Sequence, residues 1–144
     1  MTIVCNTLSG AVTEYTRHAF QSITPTHGGS ASGLYELGGD TDDGLPIVAR
    51  LRLPTTLRET TLKKLMDMVY LSMHGAGTAE FTVFGKADDW TYTFALRESG
   101  QTRSVVGRGI RENYVGFGLA TPQGQAFTLD RIEVIVRESK TRRI

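Results

Sequence analysis

The 144 residues carry 16 lysines and arginines against 15 acidic residues, a net charge of +1, with 40% hydrophobic and 22% charged residues. A chain of that length fits one domain and can bury about 70% of the surface its unfolded form exposes, while the composition excludes disordered, collagenous and fibrous classes. Nucleic-acid binders draw affinity from a basic surplus that this balance lacks, and no run approaches the roughly 18 apolar residues of a membrane span, so neither nucleic acid nor membrane insertion is expected.

Cys5 is the single cysteine, which rules out an internal disulfide or a cysteine metal site and suits a chain folded in a reducing cytoplasm. The first ten residues lack the basic start and apolar run of a signal peptide. Residues 12–20 read as a strand. A glycine-rich, turn-rich stretch follows at 24–44, an excursion over the surface or a contact arm for a neighbour. Within it, Asp40, Asp42 and Asp43 resemble a calcium loop only in part, because the bidentate Glu and the full alternating ligand series are missing. Asp and Gly also dominate turns for conformational reasons.

Residues 45–53 give a further strand, with Ile47, Ala49, Leu51 and Leu53 alternating against Val48, Arg50 and Arg52. The next segment carries two readings. Leu62, Leu65, Met66, Val69, Tyr70 and Met73 fit helical spacing, whereas Leu65, Val69, Leu71 and Met73 share one strand face. The turn His74-Gly75-Ala76-Gly77 and the β-branched neighbours favour a strand over 65–74.

Residues 79–84 form another strand, joined through the polar, glycine-led link 85–89 to the strongest pattern in the chain. Trp90, Tyr92, Phe94 and Leu96 alternate with Thr91, Thr93 and Ala95, which places one heavy face in a core. The strand 114–119 and the turn Thr121-Pro122-Gln123-Gly124 lead into 127–136. There Phe127 and Leu129 hold one parity and Ile132, Val134 and Val136 the other. That change of phase at Asp130-Arg131 predicts a bulge or a bend between sheets, and the two strands together predict a second hairpin. Short strands at regular spacing with Gly-rich turns indicate an all-β fold, a single antiparallel β-sandwich or barrel-like domain over 1–144, with room for one short helix.

No constellation spells out chemistry. Asp88 and Asp89 lack an acid or base partner, and His18, His27 and His74 lack metal-ligand spacing. Gly107-Arg108-Gly109 with Arg111 leads into a strand, so the helix N-terminus that completes a phosphate loop is missing. Arg108 or Arg111 instead suits a carboxylate such as Asp130 or Glu133. Trp90 and Tyr92 raise a carbohydrate-binding module as the rival reading, yet they share parity with Phe94 and Leu96 and read as core. Neither an enzyme nor a cofactor is expected.

One string carries a likeness. Val106-Gly107-Arg108-Gly109-Ile110-Arg111-Glu112-Asn113-Tyr114 is followed by Phe117, the turn at Gly124, Phe127-Thr128-Leu129-Asp130-Arg131-Ile132-Glu133 and the final Arg142-Arg143-Ile144. This resembles a C-terminal pattern of small structural proteins of tailed bacteriophages. The upstream stretch from Asn6 to Tyr15, Gly33-Leu34-Tyr35 and Leu62-Lys63-Lys64 also look like phage tail-associated sequences. The resemblance implies a virion component at the tail, its tip or the baseplate, present as a homo-oligomer and contacting other phage virion proteins. On that basis Gly107, Arg108, Gly109, Arg111, Asp130, Arg142 and Arg143 are structural or interface candidates. The arm 24–44 and the basic C-terminal end are expected to make the inter-subunit contacts.

Overall fold

The computed structural model describes residues 1–15, 18–107 and 109–139, and among them every regular element is a β-strand. The chain divides into two compact units, Met1–Gly39 and Asp40–Ile144.

In the first unit, β1 (Thr2–Cys5) pairs antiparallel with β2 (Val12–Tyr15). The hairpin loop is closed by Asn6, whose Oδ1 accepts from the amides of Leu8 at 2.9 Å and Ser9 at 3.2 Å. β3 (Ser22–Ile23), β4 (His27–Ser30) and β5 (Gly33–Glu36) form an antiparallel meander. Its interior is a trio of rings, His18, Phe20 and Tyr35, with centroids 5.2–6.0 Å apart. Gly28 is buried under Phe20, where a Cβ would lie 2.6 Å from the ring. The strand expected at 12–20 thus ends at Tyr15. Residues 24–39 of the expected arm carry β4 and β5.

The second unit begins with a two-residue hairpin, β6 (Thr41–Asp42) and β7 (Leu45–Pro46). Asp43 (φ 51°) and Gly44 (φ 77°) both hold left-handed conformations at its tip, as an Asp-Gly type I′ turn requires. Turn geometry therefore accounts for the acidic run, and no metal-holding cluster exists among the described residues. The strand expected over 45–53 is broken at 47–48.

Two four-stranded arrays follow. The first has the order β11 (Asp89–Ala95), β10 (Thr78–Phe84), β14 (Val115–Thr121), β8 (Ala49–Thr56). In the second, β9 (Lys64–Gly75) is central, with β12 (Gln101–Ser104) and β13 (Arg111–Glu112) along one edge and β15 (Phe127–Glu138) along the other. Neither sheet closes into a barrel, and the core lies between them in a sandwich-like arrangement. Met66, Val69, Leu71 and Met73 come from the second sheet, and Phe81, Val83, Phe94, Phe117 and Leu119 from the first. Phe81 stacks on Phe117 at 5.9 Å. Each such side chain contributes about 1.5–3 kcal/mol on burial.

The two-way segment resolves as strand β9 from Lys64 onward, with Leu62 and Lys63 in the preceding loop. Its helix-like spacing has a local cause: a bulge at Asp67, where Ile135 and Val136 of β15 face Met68 and Met66. The extra residue switches the buried parity from Lys64 and Met66 to Val69, Leu71 and Met73, and that slip mimics a 3–4 residue repeat. The predicted change of phase in β15 is a bulge at Asp130, with Leu129 facing Met73 and Arg131 facing Ser72. The hairpin at 85–89 is also present, closed by Gly85 N–H donating to Asp88 O at 2.8 Å.

The second expected hairpin is corrected. β14 pairs with β10 and β8, whereas β15 pairs with β9, so the turn at 121–124 carries the chain from one sheet to the other. The reason lies in β14 itself, which is buried on both faces. Val115, Phe117 and Leu119 face the core, and a Cβ on Gly118 would sit 2.8 Å from Phe84. A strand occupied by neighbours on both edges has no edge left for β15.

Candidate interaction surfaces

The residues singled out in the sequence do not converge. Gly107 lies in the loop before β13, where an added Cβ would meet Tyr92 Oη at 2.6 Å, so it lets the loop approach β11. Gly109 faces open space. Arg111 opens β13 opposite Leu65, and Asp130 bulges from β15 at the other end and other edge of β9. The Arg111–Asp130 pairing considered above is thereby separated. Asp130 instead has His74 Nε2 at 3.9 Å, and Glu133 has Arg131 at 3.8 Å. Arg108, Arg142 and Arg143 lie outside the described residues. Trp90 and Tyr92, the candidate sugar platform, are half-buried against the core.

A buried cation, to which no sequence pattern points, lies at the start of β9. Lys64 is 3% exposed, and its Nζ donates to Thr60 O at 2.8 Å, Leu62 O at 3.2 Å and Asn113 O at 2.9 Å. Asn113 Nδ2 in turn donates to Thr61 O at 2.6 Å. Three acceptors saturate an ammonium's three donors, which is how a charge tolerates this depth. Burial pushes the Lys64 pKa below the ordinary lysine value, and the charge of Glu138 works the other way. The arrangement ties the loop before β9 to the turn before β14. The loop itself is strained, since Arg58 (φ 49°) and Glu59 (φ 69°) are both left-handed without being glycine. Arg58 is anchored there by donating to Pro54 O at 3.0 Å and Val115 O at 3.4 Å.

Two surfaces carry exposed apolar side chains or an open strand edge among the described residues. Residues 1–39 leave Ile3 63%, Leu8 98%, Val12 65%, Ile23 52% and Leu34 75% exposed. The second surface is the free side of β15, which among the described residues hydrogen-bonds to β9 alone. Single apolar residues on a surface are ordinary, but five on so short a unit are not. A sequence signal for the β15 edge exists in retrospect: Val134, Ile135 and Val136 are three consecutive apolar residues in a strand whose apolar residues otherwise alternate. No protein-family model, curated protein or solved structure matches this chain.

Proposed function

We propose that this chain is a structural subunit of a tailed-bacteriophage virion, associated with the tail, its tip or the baseplate, and that it works by assembling with copies of itself and with other virion proteins. The observation that carries the reading is the apolar surface of residues 1–39. A unit of that size lacks the interior to stand alone and in general needs a disulfide, a metal or association. The first is absent, Cys5 being free and exposed. Leu8 and Leu34 therefore act as contacts to neighbouring chains in the particle. The phage-like motifs supply the kind of particle, and the sandwich supplies a rigid scaffold for it.

The test is incorporation. A Leu8→Ser/Leu34→Ser chain is expected to keep the Trp90 fluorescence of a folded sandwich and to drop out of purified particles. Two leucines buried at a contact are worth about 1.5–3 kcal/mol each, or at least about a hundredfold in affinity. Incorporation at the unsubstituted stoichiometry sinks the assembly reading.

A further inference from the structure

The outer edge of β15 is twelve residues long, holds no proline and presents alternate backbone N–H and C=O groups without a partner strand among the described residues. Proteins usually blunt such an edge, since it templates pairing with another chain. Here the Asp130 bulge blunts its first part. Residues 131–138 continue the strand with no added residue of their own, the second shift of the ladder being the β9 bulge at Asp67, and the partly exposed apolar residues Ile135 and Val136, each 37% exposed, lie within that stretch.

We infer that this edge pairs antiparallel with β15 of a second copy, about a two-fold axis at Ile135. An axis perpendicular to the sheet keeps inner faces inner, so the residue on the axis fixes every other pairing. With Ile135 on the axis, each Glu133 faces the other copy's Arg137, Ile135 faces Ile135, and Val134 faces Val136. Arg131 meets Ser139 and Ile132 meets Glu138 at the periphery. The neighbouring registers fail. Val134 on the axis sets Arg131 against Arg137 and Glu133 against Ile135; Glu133 on the axis faces itself; Val136 on the axis sets Arg137 against Ile135. Opposite charges across a pair stabilise it and like charges destabilise it, so Ile135 on the axis is the complementary choice among these registers, and a register centred on Ile132, which would also set Arg131 against Glu133, runs across the Asp130 bulge.

The surrounding structure agrees with that register. Glu133, Ile135 and Arg137 share the outer face of the second sheet, where they face Tyr70, Met68 and Leu65 of β9. Arg137 has Asp67 of β9 at 3.6 Å and is 67% exposed, so pairing with a second copy exchanges one exposed carboxylate partner for another. Because β11 touches β12, the two sheets run in the same lateral order, and edge strand β8 lies on the β15 side. Closed two-fold contacts of this kind use the same patch on both partners.

The inference rests on the self-assembly part of the reading above, yet it fails separately from it, because it concerns the purified chain and not the particle. In a Cys5→Ser background, Ile135→Cys places two thiols opposite each other, with Cβ atoms about 4.5–5.5 Å apart. Arg131→Cys places them eight positions apart, roughly 26 Å. Mild oxidation is expected to give a covalent dimer from the first at least about tenfold faster than from the second. By sedimentation velocity, Glu133→Arg is expected to weaken the dimer about tenfold or more, and Glu133→Arg/Arg137→Glu to restore it. Thermal melts followed by Trp90 fluorescence separate loss of pairing from loss of fold. A monomer at about 0.1 mM, equal cross-linking at both positions, or no rescue by the double variant overturns the inference.

Discussion

Replacing Lys64 by methionine removes one ammonium and keeps most of the hydrocarbon volume, so the lost hydrogen bonds set an upper bound that relief of the charge's burial cost reduces. Asn113 O lies in a buried setting and loses its donor outright, which costs about 1–3 kcal/mol. Thr60 O and Leu62 O are part-buried and regain water, at about 0.5 kcal/mol each. The expected loss is therefore at most about 2–4 kcal/mol, visible as a fall of at most about 1–2 M in the urea midpoint for a slope near 2 kcal/mol/M, and it is smaller near neutral pH. The loss also depends on pH. Burial holds the native pKa below the ordinary value, so between the two the unfolded chain binds more protons than the native one. Stability from this group thus rises with pH across that window. Below it, the cost of burying the charge is felt in full. The gap between the unsubstituted chain and the Lys64→Met variant is expected to widen as pH climbs toward the ordinary lysine pKa. A gap that narrows with pH refutes the reasoning.

Three further expectations concern the scaffold. Thr102 Oγ1 and Ser104 Oγ are buried without hydrogen-bond partners among the described residues, so Thr102→Val is expected to raise stability by about 1 kcal/mol in thermal or urea unfolding, and a loss there contradicts an apolar setting for β12. Glu59 holds a left-handed backbone conformation at φ 69°, so Glu59→Gly is expected to gain about 1 kcal/mol, against the usual cost of glycine, and a decrease argues against that turn. A Cβ on Gly118 meets Phe84, over whose ring Arg52 lies at 4.1 Å. Gly118→Ala is expected to cost about 1–3 kcal/mol, and Gly118→Ala with Phe84→Leu less than the sum of the two; strict additivity would count against the contact.

The sequence is most readable where alternation runs unbroken. Trp90 to Leu96 and residues 79–84 spell out β11, β10 and their hairpin because a half-buried strand imposes a period of two on its side chains. Alternation fails in β9 for the same physical reason: one added residue at Asp67 exchanges the two faces, and a sum of two phases resembles a helix. Pairing is less readable than strand identity. A Gly-containing turn is equally compatible with a hairpin and with a step between sheets, and only the occupied edges of β14 decide between them. The buried lysine is hidden because Lys63 and Lys64 look alike in sequence; their environments differ through carbonyls contributed by residues 60, 62 and 113. Among the candidate interface residues, Asp130 lies where the phase change predicts a distortion, while the carboxylate expected beside Arg111 is kept away on the other edge of β9.

Lys64 has a consequence beyond the energy of its contacts. Around Asp67 the apolar residues Leu65, Met66 and Met68 are near equivalents, so a ladder shifted by one position there would lose little by hydrophobicity. An ammonium turned toward solvent on that shifted strand would abandon the three oxygens waiting for it. The lysine thus acts as a detent for strand alignment: it tells one methionine from the next where greasy side chains alone cannot, and so fixes which residues of the facing β15 strand look outward.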